Sequence, residues 1–293
     1  MKIVVCVKQI PDPASIRFDT DTGKMANICY VMNPPDEVAV CEAIRIKERA
    51  GEGNVTIVSL GPARVGEALR SCLTMGVDEA IHLLDAAFDN LDAYAVSMVL
   101  ARTIAKLRPD LILCGTESAD EGSGFVGAGL AEWLDLPLVI SVSKLDITPN
   151  VKSVVVQRRL MGGAREIVEC PIPAVLAVDV SLGPVRRFPL KTILAGLNKK
   201  IVTVDARSLT VEDMMTATDV LSIEQPKPRL KKTAVVDSKS SASERLKKLL
   251  SGGVTNKPAK AVEKHPEAAA SEIVRFLVDN GIVPGTSKDG RQT

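Results

Sequence analysis

The run Gly122-Ser123-Gly124-Phe125-Val126-Gly127 has the clearest chemistry in this sequence. Glycines let backbone N–H groups close on a phosphate, and a helix that starts at their end adds partial positive charge. The run spells the dinucleotide fingerprint G-x-G-x-x-G. It departs from that fingerprint in two ways. Seven residues, Gly115 to Glu121, separate it from the apolar strand at 111–114, and it lies mid-chain. A phosphate-bearing ligand fits this spacing better than an ordinary NAD turn does. The amides of Ser123, Gly124, Val126 and Gly127 would hold the phosphate, with the Ser123 hydroxyl as a further donor. The competing reading is a generous turn whose glycines serve close packing.

Other chemistries find little support. Cys6, Cys29, Cys41, Cys72, Cys114 and Cys170 form no C-x-x-C pair, and His82 and His265 are far apart in sequence, so neither a zinc site nor a Cys–His nucleophile is expected. There is no convincing acid–base pair, no G-x-S-x-G elbow and no G-x-x-x-x-G-K-[ST] loop. Asp146 follows the glycines at a spacing that would suit a ribose carboxylate, but residues 144–148 alternate like an exposed strand. The chain reads as a nucleotide binder without a catalytic triad.

Composition narrows the class. The 293 residues are 46% apolar, 25% charged and 3% aromatic, with a formal net charge of +1. That is ample for a buried core, and it points away from nucleic acid as a partner. No apolar run is long enough to span a bilayer, and residues 2–7 read as a buried first strand rather than a signal peptide. Scattered thiols in a chain this size suit a reducing cytoplasm.

The elements that must position the glycine run alternate between strand and helix up to about residue 205. Strands are expected at 2–7, 55–59, 79–84, 111–114, 174–178 and 201–204, and helices at 36–50, 63–75, 92–107, 126–134 and 191–198. Residues 15–30 hold an excursion marked by Gly23, and residues 152–157 and 164–169 flank Gly162-Gly163 as a β-hairpin. The fold class is therefore α/β, an open, mainly parallel twisted sheet with flanking helices. Residues 1–224 form this nucleotide-binding domain. Residues 225–293 read as a linker or arm, rich in Lys, Ser and Pro, with a short helix at 244–250 and an amphipathic helix at 266–280 stopped by Gly281. That helix either packs on its own domain or wraps a partner chain.

Ligands of such sheets sit beyond the carboxyl ends of the strands. Three loops converge on that rim. Cys6-Val7-Lys8-Gln9-Ile10-Pro11-Asp12 ends the first strand, and its backbone at Cys6 and Lys8 could line an adenine or flavin; alternatively Lys8 simply pairs with Asp12. Met32-Asn33-Pro34-Pro35-Asp36 offers Asn33 as a helix cap and Asp36 as a dipole partner, or both as readers of an adenine edge or ribose hydroxyl. Thr116-Glu117-Ser118-Ala119-Asp120-Glu121 leads three carboxylates into the glycines.

Together with Ser59-Leu60-Gly61-Pro62-Ala63, the glycine pair in the hairpin, Leu190 and Lys199-Lys200-Ile201, these motifs resemble the β subunit of electron transfer flavoproteins over residues 1–224. The resemblance implies a heterodimer with an α subunit that carries electrons from donors such as acyl-CoA dehydrogenases to acceptors such as a quinone oxidoreductase. It implies a redox FAD held mainly by the α subunit, and in the β subunit either AMP or, in electron-bifurcating members, a second FAD. It carries nucleotide contacts onto Cys6, Lys8, Asn33, Asp36, Leu60, Gly61, Asp120, Gly122, Ser123, Gly124, Val126 and Gly127, and partner docking onto Arg187, Phe188 and Leu190. Ser123 and Phe125 stand where many members carry Thr and Gln, and Pro13 where some place an aromatic. A universal-stress-type protein, binding ATP and forming homodimers, would use a similar sheet.

Overall fold

The computed structural model describes residues 1–18, 25, 26, 28–147, 152–209, 216–219, 221, 241–243, 246 and 265–279. The chain divides into two compact units, Met1–Gln225 and Pro226–Thr293. The excursion tip at 19–23, most of the arm at 225–264 with its short helix, and the stop at Gly281 lie outside the described residues. In the second unit, residues Pro266–Asp279 form the helix expected there.

The first unit is built on β1 (Lys2–Cys6). After it come two short antiparallel pairs: β2 (Gln9–Pro11) with β5 (Tyr30–Met32), and between them β3 (Arg17–Phe18) with β4 (Met25–Ala26). Helix α1 (Pro34–Ala50) follows, with proline at its first two positions, acids in its first turn, Lys47 and Arg49 in its last, and Gly51 at φ 74° as the stop. Each of these is a local signal for where a helix begins or ends. The chain continues through β6 (Asn54–Leu60), α2 (Val65–Met75), β7 (Glu79–Leu83), α3 (Ala93–Leu107), β8 (Leu111–Gly115) and α4 (Phe125–Leu134). It then runs through β9 (Leu138–Asp146), β10 (Ser153–Arg159), β11 (Arg165–Pro171), β12 (Ala174–Val178), α5 (Leu190–Leu197) and β13 (Ile201–Val204).

These strands form a nine-stranded sheet in the order β11-β10-β9-β12-β8-β1-β6-β7-β13. Pairing is parallel from β9 through to β13, and antiparallel where β10 joins β9 and β11. The sequence from β1 moves outward through β6 and β7. Helix α3 then carries it back to β8 on the other side of β1. This reversal leaves a crevice outside the carboxyl ends of β1 and β8, where ligands of doubly wound sheets bind.

Both sheet faces are covered, which is why β1 reads as an unbroken apolar run. Ile3 and Val5 point into one core cluster with residues of α1 and α2. Val4 and Cys6 point into the other, with residues of α3 and α4. Strand β9 is longer than the exposed run at 144–148 indicated. It begins at Leu138, directly after Pro137, which reads as a break in the sequence. The hairpin turns as expected, with Gly162 at φ 75° and Gly163 at φ 83°.

Helix α5 lies against α2 with almost no gap. A Cβ on Gly196 would come within 2.2 Å of the Leu73 carbonyl oxygen, so no side chain fits without backbone movement. Gly196→Ala should lower unfolding stability by about 1–3 kcal/mol, the usual range for overpacking. Gly66→Ala, within α2 where an added Cβ meets nothing within 4 Å, should raise it by ~0.5–1 kcal/mol. Urea titrations of the two variants check both signs.

Candidate nucleotide site

A cavity of about 360 Å³ opens at the crevice between β1 and β8. That lies within the range of small-ligand pockets, ~300–1,000 Å³. Its wall includes Cys6 and Lys8 from the end of β1, Asn33 and Asp36 from the start of α1, and Leu60 from the end of β6. The loop after β8 contributes Gly115 to Ser118, Glu121, Ser123 and Gly124, and α4 adds Phe125 and Val126. Phe88, Asn90, Leu91 and the start of α3 close the far side.

Asp36 holds the entrance together. One carboxylate oxygen accepts the Lys8 amide at 2.8 Å and the other accepts the Gly115 amide at 2.9 Å. The residues that follow β1 and end β8 are thus fastened to the first turn of α1 by one side chain. Gly115 makes this approach sterically feasible: a Cβ there would sit 2.4 Å from the Asp36 carboxylate and 2.9 Å from Pro35. Burial pushes the Asp36 carboxyl up to about 7, although both amides, the Asn33 side chain and the Lys8 charge favour the ionised form.

Asn33 does not cap α1. Its side chain makes no cap bond, and it reaches across to the loop after β8 instead. Its Nδ2 donates to the Glu117 carbonyl at 3.1 Å, and its Oδ1 accepts from the Ala119 amide at 3.1 Å. Prolines at the first helical positions remove amides that a cap would otherwise serve, which frees the side chain for this bridge. Lys8 likewise does not pair with Asp12. Its ammonium lies 3.0 Å from Asp120 and 3.1 Å from Glu121. Burial opposes ionisation of Asp120, but hydrogen bonds from Ser118 and Lys8 outweigh it and hold its carboxyl below the usual value. Asp12 serves its own loop by accepting the Ala14 amide at 2.9 Å.

The glycine loop ends at α4 with Gly124 in the N-cap position at φ 61°, and no side chain caps the helix. The amides of that first turn have no intrahelical partners and carry the positive end of the helix dipole. They meet the cavity at Ser123, Gly124, Phe125 and Val126. Phe125 is half-exposed, and its ring stands 6.5 Å from that of Tyr94, which in turn neighbours Trp133 at 5.5 Å.

Four of the expected positions stand behind the wall rather than on it. Gly122, at φ 62°, donates its amide to Ser118 and shapes the loop. Gly127 packs on Cys114, where a Cβ would lie 3.0 Å from the sulfur. The Gly61 carbonyl is bonded by His82 Nε2 at 2.9 Å. Asp120 anchors Lys8. The cysteines near the ligand are poor nucleophiles: burial pushes the Cys114 thiol up to about 12 and the Cys6 thiol well above its ordinary value. One wall residue, Arg64, is absent from the sequence expectations. Its signal was an arginine set after Gly61-Pro62-Ala63 on the rim, at the start of a helix where an acid is the usual choice.

The expected docking residues lie away from the cavity. Arg186 forms a two-pronged pair with Glu48 at the end of α1 and stacks on Phe188, 4.9 Å from its centroid. Phe188 is half-buried against the core, whereas Arg187 faces outward and Leu190 is 69% exposed at the start of α5.

The raised Asp36 value fixes the sign of a pH effect. A carboxyl held near 7 when folded, against an ordinary 3.8, contributes stability that is complete below about pH 4 and lost as pH rises through 7. Asp36→Asn should be less stable at low pH, because its NH2 meets an amide donor. Between pH 5 and 7 its stability should fall less steeply with pH than the parent's, by up to about 1.4 kcal/mol per pH unit. Parallel slopes in pH-resolved urea unfolding would contradict this.

Comparison with known proteins identifies the family. The electron transfer flavoprotein domain model matches residues 26–209. An electron transfer flavoprotein subunit beta from Thermoanaerobacterium thermosaccharolyticum is 34% identical over 266 residues, covering 90% of this chain and 97% of the relative. Protein FixA from Azotobacter vinelandii is 32% identical, covering 82% and 90%. The caffeyl-CoA reductase-Etf complex subunit CarD of Acetobacterium woodii is 34% identical, covering 69% and 77%. With the family domain matched over most of its sheet and a β subunit matched over nearly its whole length, the chain belongs to the β-subunit family of electron transfer flavoproteins.

Proposed function

We propose that this chain holds an adenine nucleotide in the β1–β8 cavity and works as one half of an FAD-containing heterodimer with an α subunit. The observation that carries the reading is the uncapped α4 N-terminus facing a cavity whose entrance is fastened by Asp36 and Asn33. A phosphate on the amides of Ser123, Gly124 and Val126 would replace the missing cap, with Gly127 packed behind them on Cys114. Cys6, Lys8, Asn33, Asp36 and Leu60 would surround the nucleoside, with Gly61 behind them and Asp120 and Gly122 keeping the loop in shape. The nucleotide is AMP or a second FAD.

When bound, FAD supplies the electron chemistry; the protein residues bind and orient it and exclude water. Asp36 and Lys8 are both engaged in holding the clasp. The complex carries electrons from dehydrogenases of the acyl-CoA type to a quinone oxidoreductase or another acceptor, and an electron-bifurcating version would also oxidise NADH. Six free cysteines suit a cytoplasmic setting, and no helix among the described residues is long and apolar enough to cross a membrane. Leu190, with Arg187 beside it, is the apolar anchor for a docking dehydrogenase, and Phe188 supports it from within. Residues 225–293 would meet the partner subunit.

Purified with its α subunit and denatured, the chain should release AMP or FAD by mass spectrometry. Release of ATP from a homodimer would instead favour a stress-type sensor. Adding NADH to the complex and watching flavin absorbance separates a bifurcating member from a simple carrier. Leu190→Ala should slow electron transfer from the donor dehydrogenase by about tenfold or more, with nucleotide content unchanged. An unaltered rate removes Leu190 from the docking surface.

A further inference from the structure

The cavity wall includes a cation that the clasp does not use. Arg64 lies between β6 and α2, and its guanidinium carbon is 4.2 Å from the centroid of the Tyr30 ring. Among the described residues no carboxylate and no hydrogen-bond acceptor engages it. Lys8, the other cation on this wall, is held by Asp120 and Glu121.

The location of Arg64 is unfavourable for stability alone. It occupies the N-cap position of α2, at φ −59° and ψ −24°, and makes no cap bond. The amides of Val65, Gly66 and Glu67 are taken by the carbonyls of Pro62, Ala63 and Arg64, so Arg64 has no capping task, and a cation there faces the positive end of the dipole. An anion in the cavity reverses that account. Stacking on Tyr30 also fixes the guanidinium plane and leaves its N–H fork available to a phosphate.

The first-turn amides of α4 are one source of positive potential, and they suffice for a single phosphate. Arg64 is a second source, on a different wall and from a different helix. Resting on the nucleotide reading above, we propose that Arg64 determines specificity at this site by binding a second phosphate. The site then prefers a diphosphate, whether of a nucleoside diphosphate or of a dinucleotide, over a nucleoside monophosphate. Tyr30 is the positioning residue for Arg64.

Calorimetric titration of the full-length chain with AMP, ADP and FAD tests this, using Arg64→Gln, Arg64→Lys and Tyr30→Leu. The parent should bind ADP more tightly than AMP by roughly tenfold, a modest figure because Arg64 is exposed and screened. Arg64→Gln should abolish that preference and leave AMP affinity within about twofold. Arg64→Lys and Tyr30→Leu should retain part of it, and added salt should erode it in the parent. FAD following ADP through the variants identifies the diphosphate as the group read; FAD indifferent to Arg64 restricts the preference to nucleoside diphosphates. Equal losses for AMP and ADP, or none for either, overturn the role of Arg64. Failure of the parent to bind any of the three instead overturns the nucleotide reading itself, so the two failures are distinguishable.

Discussion

A carboxylate that bridges two strand ends is the constraint on which this molecule depends. Asp36 takes the amide of Lys8 on one oxygen and that of Gly115 on the other, and it does so from the first turn of α1. Parallel strands offer no hydrogen bonds of their own beyond their last residues, so the crevice at a sheet reversal needs something to hold its lips. Here a buried charge does so, at a desolvation cost visible in its displaced titration. The absent side chain at Gly115, the prolines that free Asn33, and the bridge from Asn33 to the β8 loop all follow from that one attachment.

The alternation of strands and helices was legible because each element carried its own punctuation. Gly51, Gly76 and Asp92 end or begin helices by mechanisms that operate within a few residues. The site was legible only in part. Sequence spacing brought Cys6, Asn33, Asp36 and the glycine run to one rim, since the rule about carboxyl strand ends concerns topology. It could not decide what Asn33 and Lys8 bond to, because the competing partners lie 84 and 112 residues away. Local capping and local pairing were the natural expectations, and long-range bridges displaced both. Arg64 escaped notice for a related reason: its meaning depends on Tyr30, which precedes α1, and on a cavity that exists only once the sheet is assembled.

The chemistry of the wall is that of a holder. Thiols at Cys6 and Cys114 are kept protonated by burial, the carboxylates are bonded to amides or to Lys8, and the lone buried histidine, His82, is tied to the Gly61 carbonyl. Groups so engaged are costly to move, so they suit a ligand that stays in place. Aromatic residues are scarce in this chain, yet Phe125 on the cavity wall neighbours Tyr94, which neighbours Trp133 in turn.

Helix α1 has a task at each end. Its start brings Asn33 and Asp36 to the β1–β8 cavity, and its last turn carries Glu48 to the arginine that braces the loop before Leu190. The 17 residues of α1 are one continuous helix, roughly 25 Å of hydrogen-bonded rod. The β1–β8 cavity and the outward-facing leucine are thus mounted on a common beam, and the span between them is set by a count of residues rather than by the lie of any loop. An insertion or deletion within α1 would misplace both fittings at once, whereas the connecting loops can vary in length without altering that span.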